Sequence, residues 1–196
     1  MPDEKQQSNS SIYERSILLF EISSALWVHI VAFETTLREF LHDSLSTIYK
    51  RNDWWFYPKL LNKDELASIR KTLLHLEPGR LEIKPILVVH NMSFSFWIKL
   101  LSKRYHQKIW MKIINLFPVY PGRRDDFYKK AREIRNLRNA IAHHGPILRR
   151  NLIRDNEYLH ELTAKLDPQL ADEVQKRSRV LDLLLNARLV GSGGGI

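Results

Sequence analysis

The chain has 196 residues, a formal net charge of +9 and no cysteine. That length can bury a sizeable core, and an apolar share of 44% belongs to a globular protein, not a disordered one. Without Cys there are no disulfides, no thiolate chemistry and no Cys-ligated metal, which fits a reducing cytoplasm.

The first residues, MPDEKQQSNSS, are polar and contain no apolar run of the kind a signal peptide needs. Residues 1–10 read as a flexible N-terminal segment, 11–190 as a single helical domain, and 191–196 (GSGGGI) as a Gly/Ser tail of linker composition. Residues 11–50 read as helical, with a break near Ser23-Ser24 followed by a long helix. Leu26, Val28, Ile30, Phe33, Leu37, Phe40, Leu41, Leu45 and Ile48 give that helix a broad apolar stripe. Its most apolar region, Ser16 to Phe33, is interrupted by Glu21 and His29, so no membrane span is expected. Glu34 and Arg38 stand four residues apart: either a surface ion pair, or a pair turned toward a functional site.

Asn52 to Pro58, NDWWFYP, is an aromatic connector whose Trp54, Trp55 and Phe56 either close the core or stack on unpaired bases. A helix from about Lys63 to Leu76 follows, ended by Pro78-Gly79. Ile86 to Val89 reads as a short helix, and Ser93 as the N-cap of one through Phe94, Trp97 and Leu100-Leu101. The helical pattern continues through Tyr105, Ile109, Trp110, Ile113, Ile114 and Phe117 to Pro118, and this Trp-rich middle is expected in the core. Beyond the loop PVYPGRR comes a helix carrying the chemistry. Two more are expected, from about Asp155 to Leu166 and from about Leu170 to Leu189, with Asp167-Pro168 between them. No strand-like alternation is visible, so the fold class is all-α.

Positive charge concentrates around one stretch: Arg123 to Arg154 holds ten Arg/Lys against three Asp/Glu. Such a patch points to an anionic partner, nucleic acid foremost, or to a solvated helix face. Within it lies Arg135-Asn136-Leu137-Arg138-Asn139-Ala140-Ile141-Ala142-His143-His144-Gly145-Pro146. Asp125 and Asp126 suit the start of a helix, Phe127, Ile134, Leu137 and Ile141 share one face, and Gly145-Pro146 stops it. Arg135, Asn139 and His143 stack at i, i+4 and i+8 on another face, with Arg138 one step aside. An Arg followed shortly by a His is by itself a weak signal, as Arg70 with His75 and Arg154 with His160 show. Asn139, the doubled His143-His144 and the Gly-Pro stop set Arg138 to His143 apart; read blandly, both residues merely complement the helix end.

The run LRNAIAHHGPI resembles the signature of the Abi-like (abortive-infection) branch of the HEPN superfamily: Arg, a polar residue, a short spacer, then His. AFETTLREFLHDSL (from Ala32) is similar to that branch's early helix, NMSFSFWIKLLSKRY (from Asn91) to its central aromatic segment, and Phe117-Pro118 also fits. The chain differs from the pattern at Glu39, Ser95 and Gly145. The resemblance covers most of residues 15–165. It implies a HEPN-like helical bundle, usually a homodimer with two motifs face to face, acting in abortive-infection or toxin-type phage defence. A small RNA or a protein antitoxin is a possible partner in such a family.

The resemblance also implies a metal-independent endoribonuclease, and the residue types agree with that chemistry. RNA carries its own nucleophile in the 2′-OH, so cutting it requires a base, an acid and a neutraliser of phosphorane charge. Imidazole, with a reference pKa of about 6.5, serves as base when neutral and acid when charged, typically contributing roughly 10²- to 10⁴-fold. A guanidinium fork matches phosphate oxygens. The candidate catalytic residues are therefore Arg138 and His143, supported by Asn139, His144, Glu34 and Arg38. Arg132, Arg135, Arg149 and Arg150 are the candidate RNA contacts. Adjacent His143 and His144 make a poor chelate, so neither a metal nor another cofactor is expected. The products would be a 2′,3′-cyclic phosphate and a 5′-OH. A non-catalytic helical module binding RNA or a protein is the alternative.

Overall fold

The long N-terminal segment forms one helix because its apolar residues fall on a single stripe. In the computed structural model, which describes residues 3–76 and 83–192 (side chains over 13–76 and 83–187), α1 runs unbroken over Asp3–Tyr49. The expected break at Ser23-Ser24 does not occur. Ser23 donates its hydroxyl to Leu19 O at 2.8 Å, so the polar side chain is satisfied within the helix and needs no departure from it. Ile22, Leu26, Ile30, Phe33, Leu37, Leu41 and Leu45 are fully buried, making α1 the spine of the core. Residues 3–10, read from composition as a flexible segment, are helical.

Around this spine pack α2 (Lys63–Leu76), α3 (Pro85–Asn91), α4 (Phe94–Leu100), α5 (Met111–Ile113), α6 (Arg124–Ala142), α7 (Leu152–Leu166), α8 (Pro168–Lys176) and α9 (Val180–Ser192). Among the described residues there is no strand, and the fold is all-α. Helices α4 to α9 all touch α1. Ser93 caps α4 by accepting from Phe96 N–H at 3.3 Å, as expected. The expected stop at Pro78-Gly79 lies outside the described residues, as do 193–196 of the Gly/Ser tail.

Two further regions differ from expectation. Between α4 and Pro118 the chain is a relay of short turns: 3₁₀ at Lys103–Tyr105, π at His106–Trp110, then α5 and 3₁₀ again at Ile114–Leu116. The apolar spacing is helical, yet the turns tighten and widen so that Trp110 can meet Phe117 and Phe127, with ring centroids 5.6 and 5.8 Å away. The last helix is also two. Arg177–Arg179 separate α8 from α9, and the Ser178 hydroxyl accepts from Val180 N–H at 3.3 Å.

The aromatic connector belongs to the core. Trp54 and Trp55 are buried, as is Trp97, while Phe56 remains exposed. The Trp54 indole N–H donates to His42 Nδ1 at 3.1 Å, which requires that nitrogen to be unprotonated. Burial lowers the pKa of His42; Asp43 works against that shift and His90 adds to it. Burial, helped by His160, also lowers His29, whose Nε2 lies 2.8 Å from Ser178 Oγ. Both contribute stability that is complete above the unfolded value of about 6.5 and lost as pH falls through their lower folded values. Thermal unfolding followed by circular dichroism should therefore give a midpoint level above about pH 6.5 and falling below it. A midpoint that rises on mild acidification would contradict this.

One face of α1 is largely uncovered among the described residues. Tyr13, Ile17, Phe20, Trp27, Val28 and Val31 are exposed, at 67, 58, 63, 36, 58 and 45%. By length and composition Tyr13–Tyr49 could cross a membrane, because Glu21 and His29 are too few polar interruptions to prevent it. Core helices share that composition, and the opposite face of α1 is core.

Candidate active site at the end of α6

Helix α6 is amphipathic as its spacing requires. Phe127, Ala131, Ile134 and Leu137 are buried, and the basic residues, Arg124 apart, lie off that face. Arg124, at its start, is itself buried, donating to Leu101 O at 2.9 Å and pairing with Asp125. The helix ends at Ala142, so His143 stands at the C-cap with φ −107° and ψ 17°. The left-handed residue that turns the chain away is His144, at φ 54°, where a glycine is usual. Gly145 serves a different need. Its N–H donates to Ala140 O at 2.7 Å, and a Cβ there would lie 3.3 Å from that same oxygen. Both histidines are exposed.

Arg138 is held from α1. Glu34 Oε2 lies 3.7 Å from its Nε, and Glu34 Oε1 accepts from Arg38 Nη2 at 3.0 Å. One carboxylate thus serves two guanidiniums, leaving the cluster with net positive charge. Trp27, two turns before Glu34, places its ring 5.7 Å from the Arg138 guanidinium carbon, a cation–π distance. The Nε atoms of Arg38, Arg135 and Arg138 are shielded from solvent and have no hydrogen-bond partner among the described residues. Arg135 donates from Nη2 to Asn136 Oδ1 at 3.1 Å.

No family model, curated protein or solved structure matches this chain.

The sequence-selected residues are distributed unevenly. Glu34 and Arg38 come together with Arg138, and His144 lines a groove that Trp27 lines as well. Asn139 is exposed on the last turn, where its carbonyl accepts from His143 N–H at 3.0 Å. Arg132 is exposed and lies over the Tyr128 ring, and Arg149 is exposed in the 3₁₀ turn Ile147–Arg149. Arg150 faces inward. Its Nε donates to the fully buried Asp155 at 2.8 Å, and its Nη2 to Glu133 Oε2 at 3.1 Å. Burial opposes its charge, but the hydrogen bonds and charges of Asp155 and Glu133 outweigh it and hold the guanidinium above its ordinary pKa. Among the described residues no three of His, Asp and Glu gather as metal ligands do.

Trp27 is the residue that sequence reasoning missed. A signal was present: Trp27, Glu34 and Arg38 stand at i, i+7 and i+11, one face of a helix.

Proposed function

We propose that the chain is a metal-independent endoribonuclease of HEPN type, built on a HEPN-like bundle and acting in abortive-infection or toxin-type phage defence. The observation that carries the reading is the geometry around Arg138. An arginine positioned by one carboxylate at its Nε and by one indole face, with a third of its side chain still exposed, is prepared to receive phosphate oxygens between one and two turns from an exposed imidazole. In this reading Arg138 stabilises the phosphorane and His143 transfers a proton. Asn139 and His144 flank them, and Arg132, Arg135 and Arg149 hold the strand. Arg150 is left out, since its hydrogen bonds are made within the fold.

The deciding experiment is incubation of the purified chain with end-labelled RNA in the presence of a chelator, with product ends mapped. Cleavage that persists and leaves 2′,3′-cyclic phosphate and 5′-OH ends is expected. Activity that disappears with chelator and returns with Mg²⁺ would sink the mechanism, and RNA binding without cleavage would leave a binding module.

Two proton transfers need two well-placed groups, and one helix end offers one credible set. The proposal therefore includes a two-fold dimer in which two motif ends meet over one RNA. Bringing Arg135 and Arg138 together from both chains is repulsive, so bound phosphate or RNA should tighten the pair. An inactive Arg138→Ala chain mixed with an inactive His143→Ala chain should recover part of the cleavage rate. A fully active monomer by sedimentation would refute the pairing.

A further inference from the structure

A groove of about 380 Å³ opens between α1 and the end of α6, walled by Leu19, Phe20 and Trp27 on one side and Ile141, His144 and Gly145 on the other. We propose that it is a nucleobase pocket, in which the base of an unpaired nucleotide beside the cleaved phosphate stacks on Trp27 while that phosphate lies on Arg138. The inference rests on the ribonuclease reading and adds a substrate class to it: RNA whose base at this position is free of a duplex.

Three observations converge. Phe20 and Trp27 are exposed at 63 and 36%, large aromatic surface that solvent does not favour. Trp27 forms part of the groove wall and also lies 5.7 Å from the Arg138 guanidinium, so an apolar slot and a phosphate-matching cation share one residue. The opposite wall contains His144 and Gly145, the immediate successors of His143. An occupant that is flat, apolar on its faces and tethered to an anion fits both halves, and a nucleotide is that. Charge complementarity points the same way, because Arg132, Arg135 and Arg138 gather on the same helix. A larger groove of about 540 Å³ between α1, α8 and α9 sets Glu21 and Glu173 beside Arg177 and Arg179 and contains none of the motif.

The physics gives the specificity. Stacking on an aromatic ring requires only a π-face, so all four bases qualify, whereas a base in a duplex is already stacked and paired. The pocket thus selects single-stranded character without selecting sequence.

The test uses the full chain carrying His143→Ala, so that RNA stays intact, and a short mixed-sequence RNA offered as a single strand, as a duplex, and with one abasic site at each position in turn. The single strand should bind more tightly than the duplex. One abasic position should weaken binding by roughly 5- to 150-fold, the span of one aromatic–base stack. Adding Trp27→Leu should weaken intact RNA to a similar degree and make that abasic site silent, while Trp27→Phe, which keeps a ring, should retain most of the affinity. If the Trp27→Leu chain binds intact RNA as tightly, and no abasic site matters, the pocket is refuted. The ribonuclease reading would still stand if the unaltered chain cuts RNA through Arg138 and His143. If Trp27→Leu dissociates the chain in sedimentation without altering RNA affinity, the groove is a contact with a second copy and the proposal is overturned. A chain that neither binds nor cuts RNA overturns both readings.

Discussion

Alanine at Arg138 or at His143 is expected to lower the rate of RNA cleavage by about 10²-fold or more, while His75→Ala and His160→Ala cut normally. The size follows from the role of each group. Without His143 one proton transfer must go through water, and without Arg138 the phosphorane charge has no guanidinium fork to meet it. The two losses should not add, because each residue is useful only when the other is in place. The controls are stringent, since both comparison pairs have Arg–His spacing but not the surroundings. Arg70 and His75 are exposed on α2, and Arg154 lies over the Tyr158 ring on α7. Glu34→Gln separates positioning from charge. It should bind RNA at least as tightly, because one negative charge has gone, yet turn over more slowly, because Arg138 is no longer held from α1. Single-turnover rates and filter-binding affinities measured on the same preparations check both halves. If His75→Ala or His160→Ala is the inactive variant, the catalytic histidine lies there and not at His143.

What the sequence discloses here is periodicity, and what it conceals is where periodicity is interrupted. The bounds of α2 and the apolar face of α6 follow directly from i, i+3 and i+4 spacing. The continuity of α1 does not, because Ser23-Ser24 resembles a break until the Ser23 hydroxyl is seen bonding back to Leu19. The division between α8 and α9 is hidden for the opposite reason: an unremarkable Arg-Ser-Arg sequence breaks there, and a serine hydroxyl caps the next helix. At the motif, spacing could pair Arg135, Asn139 and His143 along one helix. The approach of Glu34 and Trp27 to Arg138 depends on how α1 crosses α6, which no local pattern encodes. The same gap hides the partner of Arg150, because a basic residue in a basic stretch looks available until Asp155 is found beside it in the core.

That pair supports the largest stability effect. Arg150→Ala is expected to destabilise the fold by about 3–5 kcal/mol, the range for removing one partner of a buried ion pair. Asp155 is fully buried, and without the guanidinium its carboxylate has neither water nor a counter-charge. The contact with Glu133 adds little, since that side chain is 42% exposed and surface pairs give about 0–1 kcal/mol. Arg150→Met with Asp155→Leu should recover much of the loss, because apolar groups of similar volume need no partner there. Denaturant unfolding of the unaltered chain, Arg150→Met, Asp155→Leu and the double variant forms a double-mutant cycle, and a large coupling energy is expected. RNA binding measured where every variant remains folded distinguishes the two roles open to this arginine. If Arg150→Ala lowers RNA affinity and leaves the unfolding midpoint unchanged, its guanidinium belongs to the nucleic-acid surface and not to the core.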